Sequence, residues 1–340
     1  MKSGMNRPLM MWLAVFILVA PGNSACSSTG YSVPKTVAQD SNLPRLELNG
    51  ALLHAETFGS PDNPVVIVLH GGAGWDYRYL LPIQALSDEF FVIFYDQRGS
   101  GLSARVPDEQ LSYEIMLKDL DAIVDHYGRG RKVSLIGHSW GGMLGSGYIG
   151  RYPNKVAGAV IAASGPLTEE IEQLPSFHFS FGAGFVVHVT WEWFASRFQS
   201  GPDEDAQEDY FYYRMFATYE GEGHPFAGYH CGNTVAAGDV TVWRFGSRAM
   251  NQVTATYDGS DGNPRVDFTE GVEAFEQEVL FLAGACDSIL TPELQRQQMQ
   301  YFPNTRLVVI QNAGHDVFTE QPAASLVPVR SYLRSSTRTK

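Results

Sequence analysis

Three side chains far apart in the sequence have the types needed to turn an alcohol into a nucleophile: Ser139, His315 and Asp287. Ser139 is the centre of Gly137-His138-Ser139-Trp140-Gly141, a G-x-S-x-G pattern. The pattern alone is weak, and its context strengthens it. Val-Ser-Leu-Ile at 133–136 reads as a buried strand, and 140–149 reads as a helix, so the serine falls on a strand-to-helix elbow. Such a bend strains the serine backbone, and glycines on either side lack the Cβ atoms that would collide there. A serine at a helix start can also serve merely as a cap. A cap needs no flanking glycines, so the nucleophile reading is preferred.

A serine hydroxyl at neutral pH attacks poorly unless a base takes its proton. Of nine histidines, His315 follows a late apolar run, in Asn312-Ala313-Gly314-His315-Asp316. His178, His188, His224 and His230 lie in a segment with nothing to position them against the elbow. His138 is expected to point away from Ser139. The base needs an anion that fixes its tautomer. Asp287 closes the run Val-Leu-Phe-Leu-Ala-Gly-Ala-Cys-Asp. Asp316 is a poor rival, because the next residue in the chain does not easily reach the ring. Acyl transfer also builds charge on a carbonyl oxygen, which backbone N–H groups must meet. Trp140 N–H is one candidate donor, and Gly72 in His70-Gly71-Gly72-Ala73-Gly74 is the other. No lysine follows that loop, so a phosphate cradle is disfavoured. The chemistry requires no cofactor, and no cluster of metal-ligand type is evident.

These residues need a scaffold that brings distant segments to one edge. Apolar runs at 65–69, 90–95, 133–136, 156–163, 279–283 and 307–310 alternate with helical stretches at 113–127, 292–301 and 322–333. Asn49-Gly50 between two apolar arms predicts a hairpin over 45–58. Short buried strands alternating with helices imply an α/β fold, a mostly parallel sheet covered on both faces. Ligands of such sheets sit at the carboxyl ends of the strands, where the motifs fall. The rhythm stops at 166 and resumes at 278. Residues 166–270 hold 20 aromatics, an excess that argues for an apolar lid rather than a linker. The chain is therefore divided into an export signal at 1–25, a tether at 26–42, a core at 43–165, a cap at 166–277 and a second core segment at 278–340.

Taken together, His70-Gly71-Gly72-Ala73-Gly74, Tyr95-Asp96-Gln97-Arg98-Gly99-Ser100-Gly101-Leu102-Ser103 and Gly137-His138-Ser139-Trp140-Gly141-Gly142 resemble the proline iminopeptidase branch of the α/β-hydrolases. The resemblance covers about 45–165 and 278–336. It implies an eight-stranded, mostly parallel sheet with a helical cap between strands six and seven. It also implies that Asp96 and Arg98 are structural, bracing the loop beside the oxyanion site. In that branch cap glutamates hold the free amine of the substrate. Glu169, Glu170, Glu192, Glu220 and Glu222 are the candidates here. The loop departs from the family at Ala73, where proline is usual. The reading is a serine hydrolase acting on a small-molecule or short-peptide substrate. The alternatives are an esterase or lactonase on small apolar esters, and a non-catalytic ligand-binding protein.

A formal net charge of -13 disfavours nucleic acid and anionic lipid as partners. The N-terminus carries Lys2 and Arg7, a 12-residue apolar run at 9–20, and Ser24-Ala25-Cys26, the layout of an export signal. Cleavage after Ala25 would release a soluble periplasmic protein. Lipid modification of Cys26 would give a membrane-anchored lipoprotein. Cys231 and Cys286 then meet an oxidising compartment, as a disulfide or as two free thiols.

Overall fold

The computed structural model describes residues 30–172, 182–221, 223–236 and 238–337. The export-signal and Cys26 readings, and residues His178 and Glu222, fall outside these ranges. Eight strands form one sheet: β1 (Arg45–Leu48), β2 (Ala51–Phe58), β3 (Val65–Leu69), β4 (Phe91–Tyr95), β5 (Val133–His138), β6 (Val156–Ala162), β7 (Val279–Gly284) and β8 (Thr305–Ile310). Their order is β1-β2-β4-β3-β5-β6-β7-β8. The β1–β2 and β2–β4 pairs are antiparallel, and all others are parallel. The first pair is the hairpin expected at Asn49-Gly50, both residues having positive φ.

The central strands are buried throughout because helices cover both faces. Their side chains alternate between two cores. Val65, Ile67 and Leu69 join a cluster with α1 (Tyr113–Gly128) and α2 (Trp140–Arg151), whereas Val66 and Val68 face a cluster reaching the C-terminal helix. Ser112 caps α1 by accepting the N–H of Ile115.

Between β6 and β7 lie α3 (Glu169–Glu172), α4 (Ala183–Ser196), α5 (Ala206–Ala217) and α6 (Ser247–Asp258). The inserted segment is not uniform. Ala249, Val253, Phe268, Val272 and Phe275 join the main core, whereas α4 and α5 form the part that stands off it. After β7 come α7 (Pro292–Gln298), then α8 (Val317–Glu320) and α9 (Pro322–Ser336). Among the described residues no helix is long and apolar enough to cross a membrane.

The expectation of a loose tether over 26–42 does not hold for its described part. Val33, Thr36 and Val37 are buried, and Val37 N–H donates to Leu102 O. Two short apolar side chains reach the core, and the polar ones find partners in the insert. Gln39 Nε2 donates to Asp203 Oδ2 at 2.8 Å, and Arg244 donates to Pro34 O at 3.0 Å. This strap belongs to a buried charge hub. Arg105 and Arg244 converge on Asp209, and Arg244 also holds Asp203. The hub fastens α5 to the core.

Candidate active site

The elbow is built as its glycines require. Ser139 has φ 54° and ψ -120°, a conformation costly for a residue with a Cβ. A Cβ at Gly137 would fall on the carbonyl of Gly141, and one at Gly141 on that of Leu69. Ser139 N–H donates to Ala162 O, and Gly142 N–H returns to Ser139 O. The bend is thus held by neighbouring strands, and the side chain opens into a cavity of about 180 Å³.

His315 lines the same cavity. Its Nδ1 lies 3.1 Å from Asp287 Oδ2, both groups being buried. Donation from Nδ1 to the carboxylate leaves Nε2 as the basic nitrogen. Burial alone would lower the pKa of His315. The hydrogen bond and charge of Asp287, with Asp316 and Glu320, outweigh burial and hold it above the usual 6.5. The other oxygen of Asp287 accepts the N–H groups of Ile289 and Leu290. The aspartate therefore also fixes its own loop. Thr291 caps α7 without it. Asp316 makes no bond to the neighbouring ring in this arrangement, and its Oδ1 lies 3.8 Å from His138 Nε2.

Gly72 and Trp140 flank Ser139 along a second groove of about 350 Å³. Gly72 has φ +41°, and a Cβ there would strike the Trp75 indole. Gln97 ties the two flanks together. Its N–H and side-chain amide engage His70, and its Oε1 accepts the Trp140 indole N–H at 2.8 Å. Asp96 and Arg98 brace this loop. Asp96 accepts from Tyr77 and Leu102 N–H and pairs with His54, while Arg98 grips Asp119 with two nitrogens at 2.8 and 2.7 Å.

Sequence reasoning missed the frame around the histidine. Gly71 N–H donates to Tyr79 Oη at 2.7 Å, and Tyr79 Oη donates to His138 Nδ1 at 2.7 Å. His138 Nε2–H then donates to the carbonyl of His315 at 3.0 Å. This pattern requires a neutral His138, and burial holds its pKa well below 6.5. His138 thus lines the cavity with Ser139 rather than turning away. Adjacency to the serine was the only signal available for it, and Tyr79 had none.

The lid closes the other side. Tyr229 stacks on the His315 imidazole, with centroids 4.1 Å apart and planes 16° apart. Its carbonyl accepts His315 N–H at 2.7 Å. Cys231 forms a disulfide with Cys286, beside Asp287. Ser288 N–H and Oγ donate to Gly228 O at 2.8 and 2.9 Å. The lid turn over the histidine is therefore bound to the loop that carries the acid. Trp75, Phe226, Val240 and Met250 make this cavity largely apolar, with His230 and Asp239 at its wall.

The candidate amine ligands separate. Glu192 is bound by Arg214 at 3.0 and 2.9 Å, away from both cavities. Glu170 accepts from Tyr301 Oη. Glu220 lines neither cavity. Glu169 lines the groove that contains Ser139. His188 and His224 bond to backbone carbonyls within the lid.

A profile of the family described as alpha/beta hydrolase fold matches residues 64–322. The chain belongs to this family and is a hydrolase. It is similar to a proline iminopeptidase of Pestalotiopsis fici, 23% identical over 85% of this chain and 98% of that protein. It is also similar to a cis-3-alkyl-4-alkyloxetan-2-one decarboxylase of Shewanella oneidensis, 36% identical over 35% of this chain and only 38% of that protein. The fold is shared with an esterase from Thermogutta terrifontis at 22% identity and a TM-score of 0.57, over 87% of this chain and 98% of that one.

Proposed function

We propose that the protein is a serine hydrolase that cleaves an ester or amide of a small acyl group through an acyl-enzyme. Ser139 attacks the carbonyl while His315 takes its proton and Asp287 steadies the imidazolium. The N–H groups of Gly72 and Trp140 receive the oxyanion, that of Trp140 from the first turn of a helix. His315 then protonates the leaving group, and water activated by His315 releases the acyl group. The observation that carries this reading is the 3.1 Å contact of His315 with Asp287 beside a serine at positive φ on the same cavity.

The leaving group must lie within reach of His315, which assigns it to the cavity under Tyr229. The acyl group then occupies the groove beside Trp140, whose walls include Met143, Tyr257, Phe268 and Leu290. An aminopeptidase reading, in line with the proline iminopeptidase relative, is favoured by Glu169 at that groove. An esterase reading is favoured by the apolar walls of both spaces. A paired panel of aminoacyl-arylamides and simple acyl esters separates the two. If a free amine is needed, arylamides are cleaved and Glu169→Gln raises KM. If it is not, plain esters turn over faster and Glu169→Gln changes little. A fluorophosphonate that leaves Ser139 unlabelled overturns both and favours a non-catalytic binding protein.

A further inference from the structure

Helix α4 carries two apolar faces. Phe185 is buried against Tyr219 and His224 on the inner one. On the outer one Val187, Trp191 and Phe194 recur at the spacing of a single helix face, and Phe198 continues the row in the turn that follows. They are 72%, 53%, 53% and 74% exposed. The last three rings meet in sequence, Trp191 tilted against Phe194 and Phe198 edge-on to it, with centroids 6.4 and 5.2 Å apart. Scattered exposed apolar residues are ordinary, but a continuous stripe of large ones marks a contact surface.

Two observations identify what it contacts. The first is charge. The chain as a whole is strongly acidic, yet the single acid of α4, Glu192, is buried against Arg214. Arg197 lies over the Trp193 ring, 4.9 Å from its centroid. The stripe itself is thus uncharged on an acidic molecule, with the exposed Arg197 as the cation at its edge, and it offers a basic partner no acid to pair with.

The second is the path of the chain. Ser32 N–H donates to Ser200 O at 3.0 Å and Ser32 Oγ to Gln199 Oε1 at 2.6 Å, so the N-terminal segment leaves the fold at the end of α4. Cys26 stands five residues before Tyr31, a reach of about 17 Å at most. The apolar run at 9–20 lies just upstream. A lipid on Cys26, or retention of that run as an uncleaved anchor, would hold the end of α4 near a bilayer.

We propose that the outer face of α4 is a membrane-contact surface that seats in the interfacial region of a zwitterionic phospholipid bilayer. Aromatic side chains on an amphipathic helix suit that boundary, and their burial there drives the contact. The proposal goes beyond the hydrolase reading and does not depend on it.

Amide hydrogen exchange of the full chain, with and without phosphatidylcholine vesicles, tests it. Peptides covering 183–200 should exchange at least about fivefold more slowly with vesicles, as the exposed helix loses its local openings. The W191D/F198D variant should unfold at the same temperature as the parent, since both side chains face solvent, and should lose that slowing even where its tail keeps it on the vesicles. Three results would overturn the proposal. One is vesicle-bound protein whose 183–200 region exchanges as in solution, which would mean a tail tether alone. Another is slowing that grows with protein concentration without lipid, which would mean a second copy of the chain. The last is slowing that survives the double substitution.

Discussion

The strand ends and the lid meet at Ser139, and they are held by different physics. At the strand ends, geometry is set by directed hydrogen bonds to buried backbone. Asp287 uses one oxygen for His315 and the other for its own loop, and Tyr79 and His138 link the Gly71 loop to the His315 carbonyl. In the lid, many contacts are between aromatic rings, such as Phe216 stacked on Phe226 at 4.7 Å, and exposed rings remain on α4. The lid is fastened at discrete points, the Asp209 hub and the Cys231–Cys286 disulfide. Bond directionality fixes where atoms react, while ring packing tolerates exchange and sets what fits. Substitutions at the strand ends should therefore strike turnover, and those in the lid should strike stability and substrate choice.

The sharpest way to break that division is Ser139→Ala. It should lower kcat about 10⁶-fold if the three side chains act as a unit, measured on whichever substrate the panel yields. A loss under tenfold would sink the assignment. Asp287→Asn should lower kcat about 10⁴-fold by presenting the wrong tautomer. It should also move the pH profile. As the proposed base His315 would work in its neutral form, and its pKa is raised, so kcat/KM of the parent should climb with pH through a midpoint above 6.5. Without the Asp287 charge that midpoint should fall to lower pH. A profile unmoved by the substitution would detach Asp287 from the base.

Among lid changes, breaking the disulfide by Cys231→Ser frees a 55-residue separation and should cost about 4 kcal/mol of stability. Thermal unfolding in the presence and absence of reductant checks it. The smallest effect is expected for Tyr79→Phe. Gly71 N–H and His138 Nδ1 would each lose a buried partner, costing about 1–3 kcal/mol, with kcat reduced more than KM is raised. A change in KM alone would place Tyr79 with the lid rather than with the strand ends.

The same division explains what the sequence revealed. The buried strands announced themselves as continuous apolar runs, and Ser139, Asp287 and His315 follow such runs directly. Gly72 and Trp140 were visible because a glycine loop and an elbow have backbone requirements. Tyr79 and His138 act through side-chain bonds whose partners lie up to 177 residues away, and no local pattern records such a pairing. The strap at 30–42 misled because small polar residues look like a tether until Gln39 and Pro34 find Asp203 and Arg244. The cysteines showed oxidisable chemistry without showing proximity. In the lid, composition revealed aromatic excess but not which rings face the cavity and which face outward.

Tyr229 lies flat on the imidazole of His315, whose N–H, carbonyl and Nδ1 are each engaged. Such a ring has no room to swing between donor and acceptor. Under the proposed mechanism the proton relay is then stationary, with the serine oxygen, the departing group and the incoming water each visiting one fixed nitrogen in turn.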